Sequence, residues 1–274
     1  MSQVSGFIRK LSANLSDVVQ YELPLGDQKL ALNPLIGNDI RLEFLQEIRC
    51  VACDRKTNKS FNQGYCYPCF RSLAQCDSCI MSPHKCHFEA GTCREPDWGQ
   101  TNCMIDHYVY LANTSGLKVG ITRHTQIPTR WIDQGATQAL PIARVSSRYL
   151  SGALEVELAK TTADKTAWQA MLKGPPEPLD LEAQRDRLLS EYASTIEDLQ
   201  SRFGLQSIQP LLDAATVNIT FPITEYPDKV KAFNLDKEPV VEGRLVGIKG
   251  QYLILDTGVL NLRKYGGYRL AIDY

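Results

Sequence analysis

The chain has 274 residues, of which 43% are apolar, enough to bury a substantial core divided over two or three units. A formal charge of −1 and a pI near 6.4 exclude a uniformly basic polyanion binder, so any nucleic-acid surface must be local. No run of about 18 apolar residues occurs and the opening MSQVSGFIRKLSANLSD lacks the apolar stretch of a secretion signal, so a soluble cytoplasmic protein with no membrane partner is expected.

In residues 1–49, apolar runs at Val18 to Leu23, Leu30 to Leu32 and Ile40 to Phe44 are separated by Gly26-Asp27 and Gly37-Asn38, the pattern of a strand meander. Residues 50–106 then lose apolar periodicity and hold all nine cysteines. Thiols so clustered, in a reducing cytosol, point to metal rather than to a disulfide framework. Cys50-x-x-Cys53 and Cys66-x-x-Cys69 are two knuckles separated by twelve residues, and each lets two sulfurs approach one ion, so that four thiolates complete a tetrahedral, zinc-ribbon-like site. Cys76, Cys79, Cys86, Cys93 and Cys103 offer five sulfurs for the four positions of a second zinc, with His84, His87 and His107 as substitutes, or one cysteine as a small buried side chain. An iron–sulfur cluster is the alternative, although the standard ferredoxin spacings are absent. All-thiolate zinc has no open coordination position, so both ions read as staples for a segment too poor in apolar residues to fold alone.

Residues 107–174 read as an α/β unit. Tyr108 to Ala112 and Leu117 to Thr122 are β-rich runs around Asn113-Thr114-Ser115-Gly116, a hairpin signal. A helix follows from about Pro128 to Gln134, and a second is expected with Ser151 as N-cap and Leu154, Leu158, Thr161, Lys165, Trp168 and Leu172 on one face, with a break near Thr161. Pro175, Pro176 and Pro178 open a helical connector over 175–215, with one long helix from about Leu181 to Phe203 capped by Gly204. From residue 216, VNITFPI, VVEGRLVGI, QYLILDTG and VLNLRKY suggest an antiparallel sheet of small-barrel type, completed by the N-terminal strands. The expected class is thus α+β.

Between Gly116 and Leu150, Lys118, Arg123, Arg130, Arg144 and Arg148 stand against Asp133 alone, a local excess of four positive charges that suits a phosphate backbone, with Tyr108 beside them. Tyr252, Tyr265 and Tyr268 with Arg263, Lys264 and Arg269 could offer a base-stacking face on the C-terminal sheet. No phosphate-cradling glycine loop, nucleophile elbow or HExxH helix is present.

Residues 107–168 resemble the GIY-YIG nuclease superfamily, in which a hairpin with two tyrosine-containing motifs precedes a helix with an arginine and a later helix with a glutamate. Val109-Tyr110 takes the first motif, Lys118-Val119-Gly120 the second, Arg130 the arginine position, and Glu155 or Glu157 the glutamate. Tyr108 stands where the first motif has glycine, and Lys118 where the second has tyrosine. The resemblance implies phosphodiester hydrolysis in which Tyr110 helps activate water, Arg130 meets the phosphate charge and Glu155 holds magnesium or manganese, with Lys118 in the missing tyrosine's place. The wider pattern SFNQGYCYPCF, GTCREPDWG, YLANTSGLKVGITR, PTRWIDQGA, ADKTAW and IKGQYLILDTGV is similar to an uncharacterised bacterial family catalogued only as a domain of unknown function. The expectation is a zinc-containing DNA- or RNA-binding protein on a GIY-YIG-like core, with endonuclease activity if the site is complete. The alternative is a module that binds nucleic acid or protein without chemistry.

Overall fold

The computed structural model describes residues 2–162 and 167–274. The N-terminal part supplies β1 (Gln3–Phe7), β2 (Ser12–Asn14), β3 (Gln20–Leu25), β4 (Gln28–Ala31) and β5 (Asp39–Ile48). The cysteine segment forms turns and the short helices α1 (Tyr67–Ser72), α2 (Ser78–Met81) and α3 (Pro96–Asn102). The middle of the chain follows with β6 (His107–Asn113), β7 (Leu117–Arg123), α4 (Thr129–Asp133), β8 (Gln138–Val145), α5 (Arg148–Leu158), α6 (Trp168–Lys173), α7 (Leu181–Glu191), α8 (Ala193–Phe203), β9 (Ile208–Pro210) and β10 (Val217–Asn218). Strands β11 (Val240–Lys249), β12 (Tyr252–Leu255), β13 (Gly258–Asn261) and β14 (Tyr268–Asp273) complete it. Among the described residues no helix is long and apolar enough to cross a membrane.

Both chain ends enter one antiparallel sheet, in the order β1-β14-β5-β11-β12-β13. In β5 the side chains of Ile40, Leu42 and Phe44 are buried and those between them are not, which lays one face on the core. The alternation slips at Gln46, whose φ is 57°, and the β14 register shifts opposite it, a β-bulge. The expected barrel does not form. Past Ile8, which bridges to Leu25, the chain leaves β14 and enters a separate three-stranded sheet, β2-β3-β4, so β1 and β13 do not pair; Val259 of β13 instead exchanges backbone hydrogen bonds with Lys231 and Phe233. Nor does VNITFPI add a strand to this sheet: Val217 pairs with Ala139 of β8, and the chain then crosses over, with Ile248 N–H donating to the Pro222 carbonyl. Proline at that position has no N–H with which to continue a ladder.

The central sheet has the order β10-β8-β6-β7, with β9 also on β8. Strand β6 is buried on both faces. Tyr110 and Ala112 point into the large core shared with the six-stranded sheet, while Val109 and Leu111 meet Leu150, Leu154 and Leu158 of α5 and Leu188, Ile196 and Leu199 of α7 and α8. The helix expected from Ser151 begins earlier, where Ser147 Oγ accepts the Leu150 N–H at 3.3 Å, and it ends at Leu158. Trp168 belongs to the separate α6, and Lys165, placed on the same stripe by the sequence, lies outside the described residues. The long helix is two helices: Tyr192 leaves helical geometry at φ −104° and ψ 18°, after which α8 runs to its Gly204 cap.

Helix α5 is also the seat of the cysteine segment. Gly152 lies so close to it that a Cβ there would be 2.5 Å from the His84 backbone nitrogen and 2.6 Å from Pro83 Cβ. Gly152→Ala should therefore destabilise the protein by about 1–3 kcal/mol, measured as Tm. An unchanged Tm would show that these surfaces do not bear on each other.

Candidate metal centres and the Tyr110 cluster

The two knuckles are built by turns that close on each other. After β5, Asp54 adopts φ 57° and its N–H donates to the Cys50 carbonyl at 3.0 Å, while Val51 N–H donates to Gly64 in the second turn at 2.8 Å. Gly64, at φ 138°, cannot carry a side chain, because a Cβ would be 2.4 Å from Val51 Cγ1. Cys66 then opens α1 and places Cys69 one turn on. The result brings Cys50, Cys53, Cys66 and Cys69 together, with their sulfurs all within 4.8 Å of one another. Cys53 and Cys66 Sγ are 3.7 Å apart. Zinc–sulfur bonds of about 2.3 Å give a tetrahedron with sulfur–sulfur edges of about 3.8 Å, so the donor set fits zinc. Burial works against ionisation of Cys50, but N–H groups of Cys66, Cys53 and Ala52 aimed at its sulfur outweigh it and pull the thiol down to about 6. Burial and the neighbouring thiols drive Cys69 the other way, so only a cation lets all four ionise together.

A second group lies under α5. Cys79, Cys86, Cys93 and Cys103 line one small cavity of about 10 Å³, room for a single atom of water size, together with Asp77 and His87. By ligand-atom distance alone, Asp77, Cys79 and His87 fall within 4.8 Å of one another. The Asp77 carboxylate is already engaged, however: Oδ1 accepts the Ser78 N–H at 2.6 Å, and Oδ2 is 2.8 Å from Arg94 Nε and 3.4 Å from His87 Nε2. Cys76 belongs to neither group; it is buried beside Asn62 and Arg94, and burial raises its thiol pKa. His107 does not join them either. It is fully buried, its Nδ1 is 2.8 Å from the Ile105 carbonyl, and burial pushes its pKa down to about 4.

The basic residues of the central unit divide by use. Arg148 Nη2 donates to the Ile80 carbonyl at 2.6 Å and its N–H to the Cys103 carbonyl at 2.7 Å; Arg123 donates to Asn102 Oδ1; Arg144 is 2.6 Å from Asp106 Oδ2. These four contacts fasten the cysteine segment and its exit to the central sheet and α5. Tyr108 is half-buried on β6, and Lys118, buried on β7 opposite Ala112, has a polar or charged partner, as does half-buried Glu155 on α5.

Tyr110 and Arg130 do come together. The Tyr110 ring is fully buried, edge-on to Trp131 with centroids 6.1 Å apart, and so close to Gly120 that a Cβ there would be 2.6 Å from its hydroxyl. Gln134, one turn after Arg130, joins the two: its amide nitrogen donates to Tyr110 Oη at 2.7 Å while its oxygen accepts from Arg130 Nη2 at 3.0 Å and Nε at 3.3 Å. Burial pushes the Tyr110 hydroxyl up to about 12 against the pull of Arg130, and the Glu155 charge adds to the rise.

Over residues 37–270 the sequence matches the family described as protein of unknown function (DUF2797). The chain belongs to that family. No curated protein and no solved structure matches it. The DUF2797 match runs from just before β5 into β14 and takes in both cysteine groups and the Tyr110 cluster, while β1 to β4 precede it.

Two residues of these DUF2797 sites escaped the sequence reading. Gln134 carries a signal that could have found it, its i+4 spacing from Arg130 on one helical face. Asp77 had a weaker one, as a capping acid before Ser78 inside a cysteine pair. Elemental analysis of protein purified without added metal should give two zinc ions per chain for the wild type and for Cys76→Ser, and one for Cys66→Ser. Metal-free protein with an unchanged Tm would contradict the metal role of both groups.

Proposed function

We propose that the protein is a zinc-stapled nucleic-acid-binding protein on a GIY-YIG-like core, that Arg130 meets the phosphate, and that binding proceeds without cleavage. One observation carries this reading: Arg130 is oriented by Gln134 against a tyrosine that is wholly buried. A guanidinium held by its Nε and one Nη still has donors for a phosphate oxygen. A phenol with a pKa near 12 stays protonated at neutral pH and cannot take a proton from attacking water. The second zinc is assigned to Cys79, Cys86, Cys93 and Cys103, because these four residues line one small cavity while the Asp77 carboxylate is engaged by Arg94. A reducing, cytoplasmic setting accords with zinc thiolates, which oxidation would destroy.

A second reading, divalent-metal-dependent cleavage, is favoured by the Glu155 carboxylate, whose charge is felt at Tyr110 beside Arg130. Magnesium or manganese held by Glu155 would then supply the activated water, with no role for a Tyr110 phenolate. Labelled single- and double-stranded DNA and RNA should bind wild-type protein, and Arg130→Ala should weaken binding about tenfold or more. No product should form with magnesium or manganese. Cleavage lost in Glu155→Ala but retained in Tyr110→Phe would establish the second reading, and absence of binding to all four probes would replace both with a protein-binding or scaffold role.

A further inference from the structure

Arg130 opens into a cleft that no single segment of the chain builds. Its volume is about 510 Å³, and its walls come from the turn after β1, the second zinc knuckle, α2, α4 and the turn before β14. Four cations line it: Arg9, Lys10, Arg130 and Arg263. Two of them meet the carboxylate of Asp133, whose side chain is only 4% exposed. It is 2.7 Å from Lys10 Nζ and 3.8 Å from Arg263 Nη1, and its other oxygen accepts from Gln251 at 2.8 Å. Arg263 is further fixed by Gln63 Oε1, which accepts from its Nε at 2.7 Å. Arg9 makes no ion pair among the described residues. Among the described residues, four cations and no carboxylate line this concave site, which leaves its wall positively charged. Arg263 lies close enough to Arg130 for the two charges to repel, which together with burial lowers the Arg263 pKa.

We infer that this cleft binds the phosphate of a nucleotide-sized ligand, with Arg9 and Arg263 joining Arg130 as the phosphate-binding residues. The chemistry follows from the lining. Converging guanidiniums match phosphate oxygens bidentately, and a bound dianion relieves the repulsion between Arg130 and Arg263. The volume suits one nucleotide. Half-buried Tyr65 in the wall offers a ring to a base. Asp133 acts as a positioning residue: buried beneath the cations, it holds Lys10 and Arg263 in place while leaving the excess charge to the ligand. The inference deepens the nucleic-acid reading and rests on it for the source of the phosphate, a strand or a free nucleotide, but not for the chemistry of the cleft.

The test measures binding of two probes to the full chain by calorimetry: ADP, and a short single-stranded oligonucleotide with a 5′-phosphate. The variants are Arg9→Gln, Arg263→Gln, Arg130→Ala and, as a control remote from the cleft, Lys29→Gln, each checked for unchanged zinc content and Tm. Arg9→Gln and Arg263→Gln should each weaken at least one probe about tenfold, with Lys29→Gln like wild type. ADP binding that depends on Arg263 without oligonucleotide binding would uphold the cleft and overturn the nucleic-acid reading. Oligonucleotide binding lost in Arg130→Ala but intact in Arg9→Gln and Arg263→Gln would overturn the cleft and leave that reading standing. Folded wild-type protein that binds neither probe would overturn the cleft.

Discussion

The segment between β5 and β6 depends on its sulfurs. Among its described residues the buried apolar side chains are Cys50, Cys66, Ala74, Cys76, Pro83 and Cys103, so four of the six are cysteines. Burial of that kind contributes little against the conformational entropy of more than fifty residues, whereas structural zinc contributes about 10–16 kcal/mol per site. The rest of the architecture is arranged around this segment. It docks on α5 through Gly152 and the Arg148–Ile80 contact, and its second knuckle carries Gln63 and Tyr65 to the cleft wall.

Arginine does two jobs in this molecule, and surroundings decide which. Arg123, Arg144 and Arg148 are spent on an amide oxygen, a carboxylate and a carbonyl across one seam. Arg130, by contrast, is braced from behind by Gln134 and faces a cleft with other cations. The same brace reaches Tyr110, so the orientation of the guanidinium and the burial of the phenol are parts of one arrangement.

Local signals were legible and long-range ones were not. The CxxC spacings announced the first metal group because knuckle chemistry is local, and the β6–β7 hairpin was marked by Gly116. The second group was ambiguous because its sulfurs are separated by turns, and only packing shows that Cys79, Cys86, Cys93 and Cys103 share a cavity while Cys76 does not. The split of the long helix at Tyr192 had no glycine or proline to announce it, since tertiary packing of α7 and α8 against the central sheet overrides a continuous apolar stripe. Arg263 was read as part of a strand face, yet it belongs to a turn that meets Arg130 across more than a hundred residues of chain, and a single sequence does not carry such a juxtaposition.

Zinc-edge X-ray absorption on the purified protein bears most directly on the claim that two tetrathiolate sites hold the cysteine segment together. The account predicts a first shell of sulfur alone at about 2.3 Å, averaged over both ions. A shell with substantial nitrogen or oxygen at about 2.0–2.1 Å would contradict it and place Asp77 or His87 on the second ion instead.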